Sequence, residues 1–453
     1  MFKTEAKKEF KIKQVTAETM DAVINQCARI YGGTPDWIDR EDNITTVNFA
    51  KSICSEAARL TTLAIQITVD GSPRAKWMQK LVDEMYFQLR HWVEYGCAYG
   101  TIILKPTGEN VSLILPENFI VVSEENEKIT GAVFIDHAQE DDAYYTRLEY
   151  HRFVDEKYLI TNKTYVSRNK DTIGKACSID STPWSDILEE AAIDGLEKPL
   201  FAVLRMPAAN HIEVGSPLGL PLYFEAIEEL KTLDIAYSRN AKEIIDSRRT
   251  VLLDSDKLLP SGGKISNTLG GFEDAKQDMK LPDYVKMVYG DGQGDFYQEI
   301  NPTLQTETRV FGINSLLSQI GYKCGFSNGY FVFNEKTGLV TATQVESDDR
   351  RTIQLIKDIR DKLEDCMDGL LYALNAFADL YGYAPSGNYE VTYDFGDITY
   401  NREEDRIRWW QYVQTQKVPA WMYFTKFEGM SEEDAKAMVE EAAPPMPALF
   451  GEE

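Results

Sequence analysis

Apolar residues recur at helical spacing in several stretches of the chain. Between Thr46 and Leu63 they are Val47, Ala50, Ile53, Ala57 and Leu60, which predicts an amphipathic helix. Trp77, Leu81, Met85 and Leu89 repeat the pattern, and Trp92 and Val93 continue it. Gly96 and Gly100 are expected to end it. Over residues 101–205 the period shortens. Runs such as Thr101–Leu104, Phe119–Val122, Ala132–Ile135, Tyr144–Leu148 and Tyr158–Thr161 alternate with the turn residues Pro106, Gly108, Asn110 and Gly131. Antiparallel sheet is expected there.

Helical spacing returns after Gly215-Ser216-Pro217-Leu218-Gly219. A helix is predicted from Pro221 to Arg248 with an apolar face of Leu222, Ala226, Leu230, Leu233, Tyr237, Ala241 and Ile244. Residues 250–303 read as a small, irregular α/β insertion rich in Gly, Asp and Lys. A second helix is predicted over Thr306–Gly321, with Val310, Ile313, Leu317 and Ile320 on one face. A glycine-punctuated loop follows. Then Thr343 and Glu346 fit a capping box, in which both side chains satisfy free N–H groups at a helix start. The helix behind it is expected to run to Tyr381, with a seam of Ile356, Ile359, Leu363, Cys366, Leu370, Leu374 and Phe377. Tyr389–Asp394 reads as one strand. Helices follow from Asn401, with Trp409 and Trp410 supplying bulk and Ser431 opening the last. Pro444-Pro445-Met446-Pro447 cannot continue it.

Composition narrows the function. A length of 453 residues predicts two or three domains. The formal net charge of −25 leaves no basic excess with which to grip nucleic acid by its phosphates. Cys27, Cys54, Cys97, Cys177, Cys324 and Cys366 contain no CxxC pair and are expected to be free thiols. No signal peptide and no apolar run of membrane-spanning length are seen.

Candidate chemistry is thin. His91, His137, His151 and His211 lie on unrelated predicted elements. Gly290–Asp295 resembles a phosphate loop but lacks the Lys-Ser/Thr and helix that must follow. Asp348-Asp349 suit the first turn of a helix better than an ion site. No catalytic residue, metal site or cofactor is expected. Among few basic residues, Lys336 stands alone in the loop that Gly329 and Gly338 bound.

This order of elements resembles the portal proteins of tailed bacteriophages, particularly those of siphophages of Gram-positive hosts. Asn210, Ser216-Pro217-Leu218-Gly219 and Leu233-Asp234 look like that family's lead into its first stem helix. Phe331-Val332-Phe333 followed by Gly338-Leu339-Val340-Thr341-Ala342-Thr343-Gln344-Val345 is similar to its Thr-Ala-Thr-Glu-Val signature, with Gln344 in place of the usual Glu. Tyr144–His151 looks like its wing strand.

The resemblance implies an α+β portal fold with a β-rich wing, helical stem, small α/β clip, long wing/crown helix and helical crown. The wing would be residues 1–215, stem helix 1 residues 216–248, the clip 249–305 and stem helix 2 residues 306–326. The tunnel loop would be 327–341, the long helix 342–382, the returning wing strand 383–400, and the crown and tail 401–453. Lys336, Asn334, Glu335 and Thr337 would face DNA in the channel, Phe331 and Phe333 would anchor the loop, and Thr343 and Glu346 would cap the helix. In a ring one lysine per subunit becomes a girdle. The resemblance further implies a homo-oligomeric ring of twelve at the capsid vertex of the virion, assembled in the host cytoplasm. Viral double-stranded DNA would pass through it. Its partners would be the terminase large subunit, a head–tail adaptor, and the major capsid and scaffolding proteins, with no membrane. Two other readings stay open from the residues: another virion structural or head–tail connector protein, and a hydrolase or nuclease with acidic metal ligands.

Overall fold

The computed structural model describes residues 2–39, 41–108, 110–247, 250–254, 285–288, 297–300, 305–332, 350–396, 402–415, 417–428 and 430–441. The chain divides into two units, Met1–Thr62 with Ile67–Tyr393, and Leu63–Gln66 with Asp394–Glu453.

The first unit mixes helix and sheet. Four helices come early: α1 (Lys3–Phe10), α2 (Glu18–Tyr31), α3 (Phe49–Thr61) and α4 (Pro73–Tyr99). Ser72 starts α4, its Oγ accepting from the Ala75 N–H at 3.2 Å, with Pro73 where no N–H is needed. Helix α1 has no counterpart among the elements expected from spacing. Its Phe2 and Ala6 are buried against Ile120, Val133, Leu148 and Tyr150 of the sheet described next.

The strands are antiparallel hairpins, as their alternation predicts. β4 (Phe119–Glu125), β5 (Lys128–Glu140), β6 (Ala143–Val154), β7 (Lys157–Ser167) and β8 (Lys175–Cys177) follow one another in space, and β9 (Glu190–Asp194) pairs with β7. The two-residue turns Asn126-Glu127 and Asp155-Glu156 carry φ of 52° and 60°, and 50° and 65°. Positive φ at both central residues matches the twist of the flanking strands, so these turns form without glycine. A second sheet orders β10 (Ala202–Arg205), β2 (Thr101–Thr107) and β3 (Asn110–Ile114). Strand β1 (Gln66–Asp70) pairs with β14 (Glu390–Asp394). In the insertion, β11 (Thr250–Asp254) lies between β12 (Val285–Val288), parallel to it, and β13 (Tyr297–Ile300), antiparallel.

Helices α5 (Ile227–Asp246), α6 (Thr306–Lys323) and α7 (Arg350–Tyr381) complete the unit. At 32 residues α7 is about 48 Å long. Its expected seam is the buried one: Ile356, Ile359, Leu363, Leu370 and Leu374 are fully buried, while Phe377 is partly so.

Three expectations need correction. Gly96 does not end α4 but lies inside it, because an added Cβ there would come within 3.0 Å of Leu204 and Met206; Gly100 is the residue that closes the helix. The helix expected from Pro221 begins with a 3-10 turn at Phe224–Ala226 and becomes α-helical only at Ile227. Its predicted apolar face is buried only at the near end: Leu230 and Leu233 are covered, but Tyr237 is 46% and Ile244 54% exposed.

The second unit contains α8 (Arg402–Gln414), α9 (Ala420–Glu428) and α10 (Glu432–Glu441). Trp410 packs edge-on against Tyr423, whose hydroxyl accepts from Arg406 at 2.8 Å. Ser431 caps α10 by accepting from the Asp434 N–H at 3.2 Å.

Candidate functional site

The loop between α6 and α7 carries most of the expected site residues. Lys336, Asn334, Glu335, Thr337, Phe333, Thr343 and Glu346 lie outside the described residues, as do Gly290–Asp295 and Asp348-Asp349. The described part is the loop's root, residues 324–332. Gly325 turns the chain with φ of 88° and Gly329 with 78°, a region in which side chains with a Cβ are strained. Ser327 and Thr352 then tie the root to the first turn of α7. The Ser327 N–H donates to Thr352 Oγ1 at 2.8 Å, and the Thr352 N–H donates to Ser327 Oγ at 3.2 Å, both residues being buried.

Phe331 is placed by packing. Its ring meets Phe49 of α3 at 5.2 Å and 83°, and Phe326 at 4.8 Å. Gly321 of α6 leaves room for it, since a Cβ there would sit 3.1 Å from the Phe331 ring. Beside it the Tyr330 hydroxyl donates to Glu56, which also accepts from Arg59. The tyrosine hydroxyl and the guanidinium both favour the ionised carboxylate, and together they outweigh burial and hold Glu56 below its ordinary pKa, Arg59 contributing most.

Helices α5 and α6, which lead up to the loop, form an antiparallel pair. Glu229 near the start of α5 meets Lys323 at 2.6 Å, and Glu243 near its end meets Arg309 and accepts from the Gln305 N–H at 3.3 Å. The segments singled out before α5 have local reasons. The Asn210 amide donates to Leu218 O at 2.9 Å and its oxygen accepts from the N–H groups of Ile212 and Glu213. Gly219 crosses Gly100 so closely that a Cβ on Gly100 would meet the Gly219 carbonyl oxygen at 2.3 Å. Asp234 is buried and accepts from Trp37 Nε1 at 2.8 Å and from the Val47 N–H at 2.9 Å, which fixes the segment before α3 to α5.

A buried polar group that spacing did not single out lies in the large sheet. Arg147, Glu149 and His151 alternate along one face of β6 and are all buried. Glu149 is paired with Lys105 of β2, with Arg147 at 3.1 Å and with His151 at 2.8 Å. Asp136 meets Arg147 at 2.6 Å. His151 Nδ1 faces the Tyr158 hydroxyl at 2.8 Å, and that hydroxyl accepts from the Leu200 N–H at 3.0 Å. Burial pushes the Glu149 carboxyl up, but Lys105 and Arg147 outweigh it and hold it well below the carboxylate range. Burial pushes His151 down against the pull of Glu149. The visible signal was three ionisable residues at every second position, with Leu148 and Tyr150 between them.

All six cysteines are free thiols. Burial raises Cys27 and Cys97 to about 12, so neither is a nucleophile near neutral pH. Among the described residues no group of three or more His, Cys, Asp or Glu is placed to hold a metal ion, and no helix is long and apolar enough to cross a membrane.

Comparison with known proteins gives one result. A family model described as phage portal protein, SPP1 Gp6-like, matches residues 36–444. No curated protein matches.

Proposed function

The chain belongs to the SPP1 Gp6-like phage portal protein family, and from this we propose that it forms the channel through which phage DNA enters and leaves the capsid, docking first a terminase motor and later head–tail adaptors. The family match over residues 36–444 carries this reading. Portal proteins are structural components of the virion, forming homo-oligomeric rings at one capsid vertex.

On this reading residues 1–215 with the returning strand are the wing, α5 and α6 the stem, 249–305 the clip, the long helix a brace between subunits, and 401–453 the crown. The loop after α6 lines the narrowest part of the channel. The packing of Phe331 on Phe49 and Phe326 supports an anchoring role for that residue. DNA carries about one charge per 1.7 Å of axis, so a strongly acidic wall keeps the duplex from adhering. Lys336 is the exception, a girdle of weak backbone contacts. The ring has twelve subunits in the virion.

Electron microscopy of the purified chain, with particle mass measured alongside, tests the reading. Rings with a central hole are expected. A chain that stays monomeric both alone and with its scaffolding and capsid proteins would overturn it. Lys336→Glu is expected to impair packaging or retention of DNA with assembly intact, and normal packaging by that variant would remove Lys336 from the mechanism.

A further inference from the structure

The loop between α6 and α7 leaves from a root that is joined to α3 at two points. The Phe331 ring packs on Phe49, and the Tyr330 hydroxyl donates to Glu56. Phe49 and Glu56 are seven residues apart on α3, so they share one face of it and stand about 10 Å apart along its axis. The rings of Phe326, Tyr330 and Phe331 touch one another at 4.8–5.2 Å between centroids, so one aromatic unit carries both contacts. Glu56 is itself held in place: Arg59 of the same helix donates to its two oxygens at 2.7 Å each, and the carboxylate stays ionised. The root is also bonded to α7 through Ser327 and Thr352, and α7 to the end of α3 through Arg360, which donates to Thr61 O at 3.1 Å. Root, α3 and α7 thus close a triangle, and α6 leads into it through the turn at Gly325.

We infer that Tyr330, Glu56 and Arg59 are positioning residues for the channel loop, and that α3 sets the direction in which the loop leaves its root. The inference rests on the reading of this loop as the lining of the narrowest part of the channel. A loop that touches moving DNA is loaded along the channel. Apolar contact holds the root against the helix but has little directionality, so it resists sliding poorly. A hydrogen bond to an ionised carboxylate is short and directional, and weakens steeply as its angle departs from the favoured one. The Tyr330–Glu56 bond therefore supplies the resistance that the Phe331–Phe49 contact lacks. Two points of attachment on one helix face fix a direction as well as a position, and the second point exists only while the hydroxyl is present.

The test uses full-length rings and procapsids built with them, and compares Tyr330→Phe, Glu56→Gln and the double variant with wild type. Tyr330→Phe keeps the ring and removes only the hydroxyl. The readouts are hydrogen exchange at the amide of residue 330, which donates to Ser327 O in the root, and the yield of DNA-filled particles. Exchange is expected to be roughly tenfold faster in Tyr330→Phe, as loss of a hydrogen bond to a charged group implies. Filled particles are expected to fall by a similar factor with ring mass unchanged. The double variant is expected to match the more severe single one, since the two side chains serve one bond. A wild-type yield of filled particles beside faster exchange makes the bond structural alone and overturns the inference. Unchanged exchange overturns it too, as do additive effects in the double variant or loss of rings by Tyr330→Phe. Variants that fill as well as a filling wild type defeat this inference alone, whereas a wild type that forms no rings and fills no particles defeats the channel reading with it. Should Tyr330→Phe fail to fold, Glu56→Gln alone carries the same comparison.

Discussion

Arg74 of α4 donates to Asp379 of α7 at 2.6 Å across 305 residues of sequence. The guanidinium is buried, and its other N–H groups reach Pro385 O, Ala384 O, Asn375 O and Asn375 Oδ1 at 2.7–3.0 Å. All five donors are therefore used, which only the planar fork of arginine achieves. About a third of the way along α7, Arg360 donates to Thr61 O at 3.1 Å and Leu60 O at 3.3 Å, the last carbonyls of α3. The long helix is thus held by arginine hydrogen bonds at two levels, near its C-terminus and about a third of the way along it.

Replacing Arg74 with methionine keeps the apolar stem and strands four backbone and amide oxygens. A loss of about 3 kcal/mol is expected in urea unfolding. Arg74→Lys should recover only part of it, since an ammonium has three donors. Equal stability of Arg74→Lys and wild type would show that the fork geometry is immaterial. The same bond holds Asp379 below its ordinary pKa, so its contribution is present above that ordinary value and is lost as pH falls through the lower folded one.

Acid should weaken the large sheet through His151. Burial lowers its pKa in the folded chain, so below about pH 6.5 the unfolded chain binds the proton first. Stability then falls with falling pH below that value. Urea midpoints at pH 7.5 and 5.5 should differ more for wild type than for His151→Gln, and identical pH dependence would clear His151 of this effect.

Asp234 should matter for stability rather than solubility. Asp234→Ala leaves Trp37 Nε1 and the Val47 N–H without their acceptor, costing about 2 kcal/mol. Hydrogen exchange at Val47 should accelerate in parallel. Unchanged protection at that amide would contradict the assignment.

Two glycines with φ near 76° should respond differently to alanine. Gly100 faces the Gly219 carbonyl, whereas an added Cβ on Gly195 meets nothing within 4 Å. Gly195→Ala should cost about 1 kcal/mol in backbone strain alone. Gly100→Ala adds overpacking and should cost at least about 2 kcal/mol more. Thermal midpoints of the two variants decide this, and equal shifts would mean the crossing relaxes freely.

Much of this molecule was legible in one dimension. The hydrophobic period identifies α3, α4, α6, α7 and the hairpin strands, because each element buries one face and the face repeats with the backbone geometry. The order of those elements, with Ser216-Pro217-Leu218-Gly219 and Leu233-Asp234, was enough to point to the family. Other features depend on distant partners, and no local period reports them. Gly96 is a breaker by composition but a contact surface for Leu204 and Met206 once β10 lies over α4. The helix α1 is too short and too basic to announce itself, and is placed by the sheet beneath Phe2 and Ala6. Tyr237 and Ile244 follow the helical period as core residues would, but α6 covers only the near half of that face. Periodicity records that a residue seeks burial. Whether the covering surface belongs to the same chain or to the next one is a property of the tertiary structure, because burial depends on what arrives from elsewhere in space.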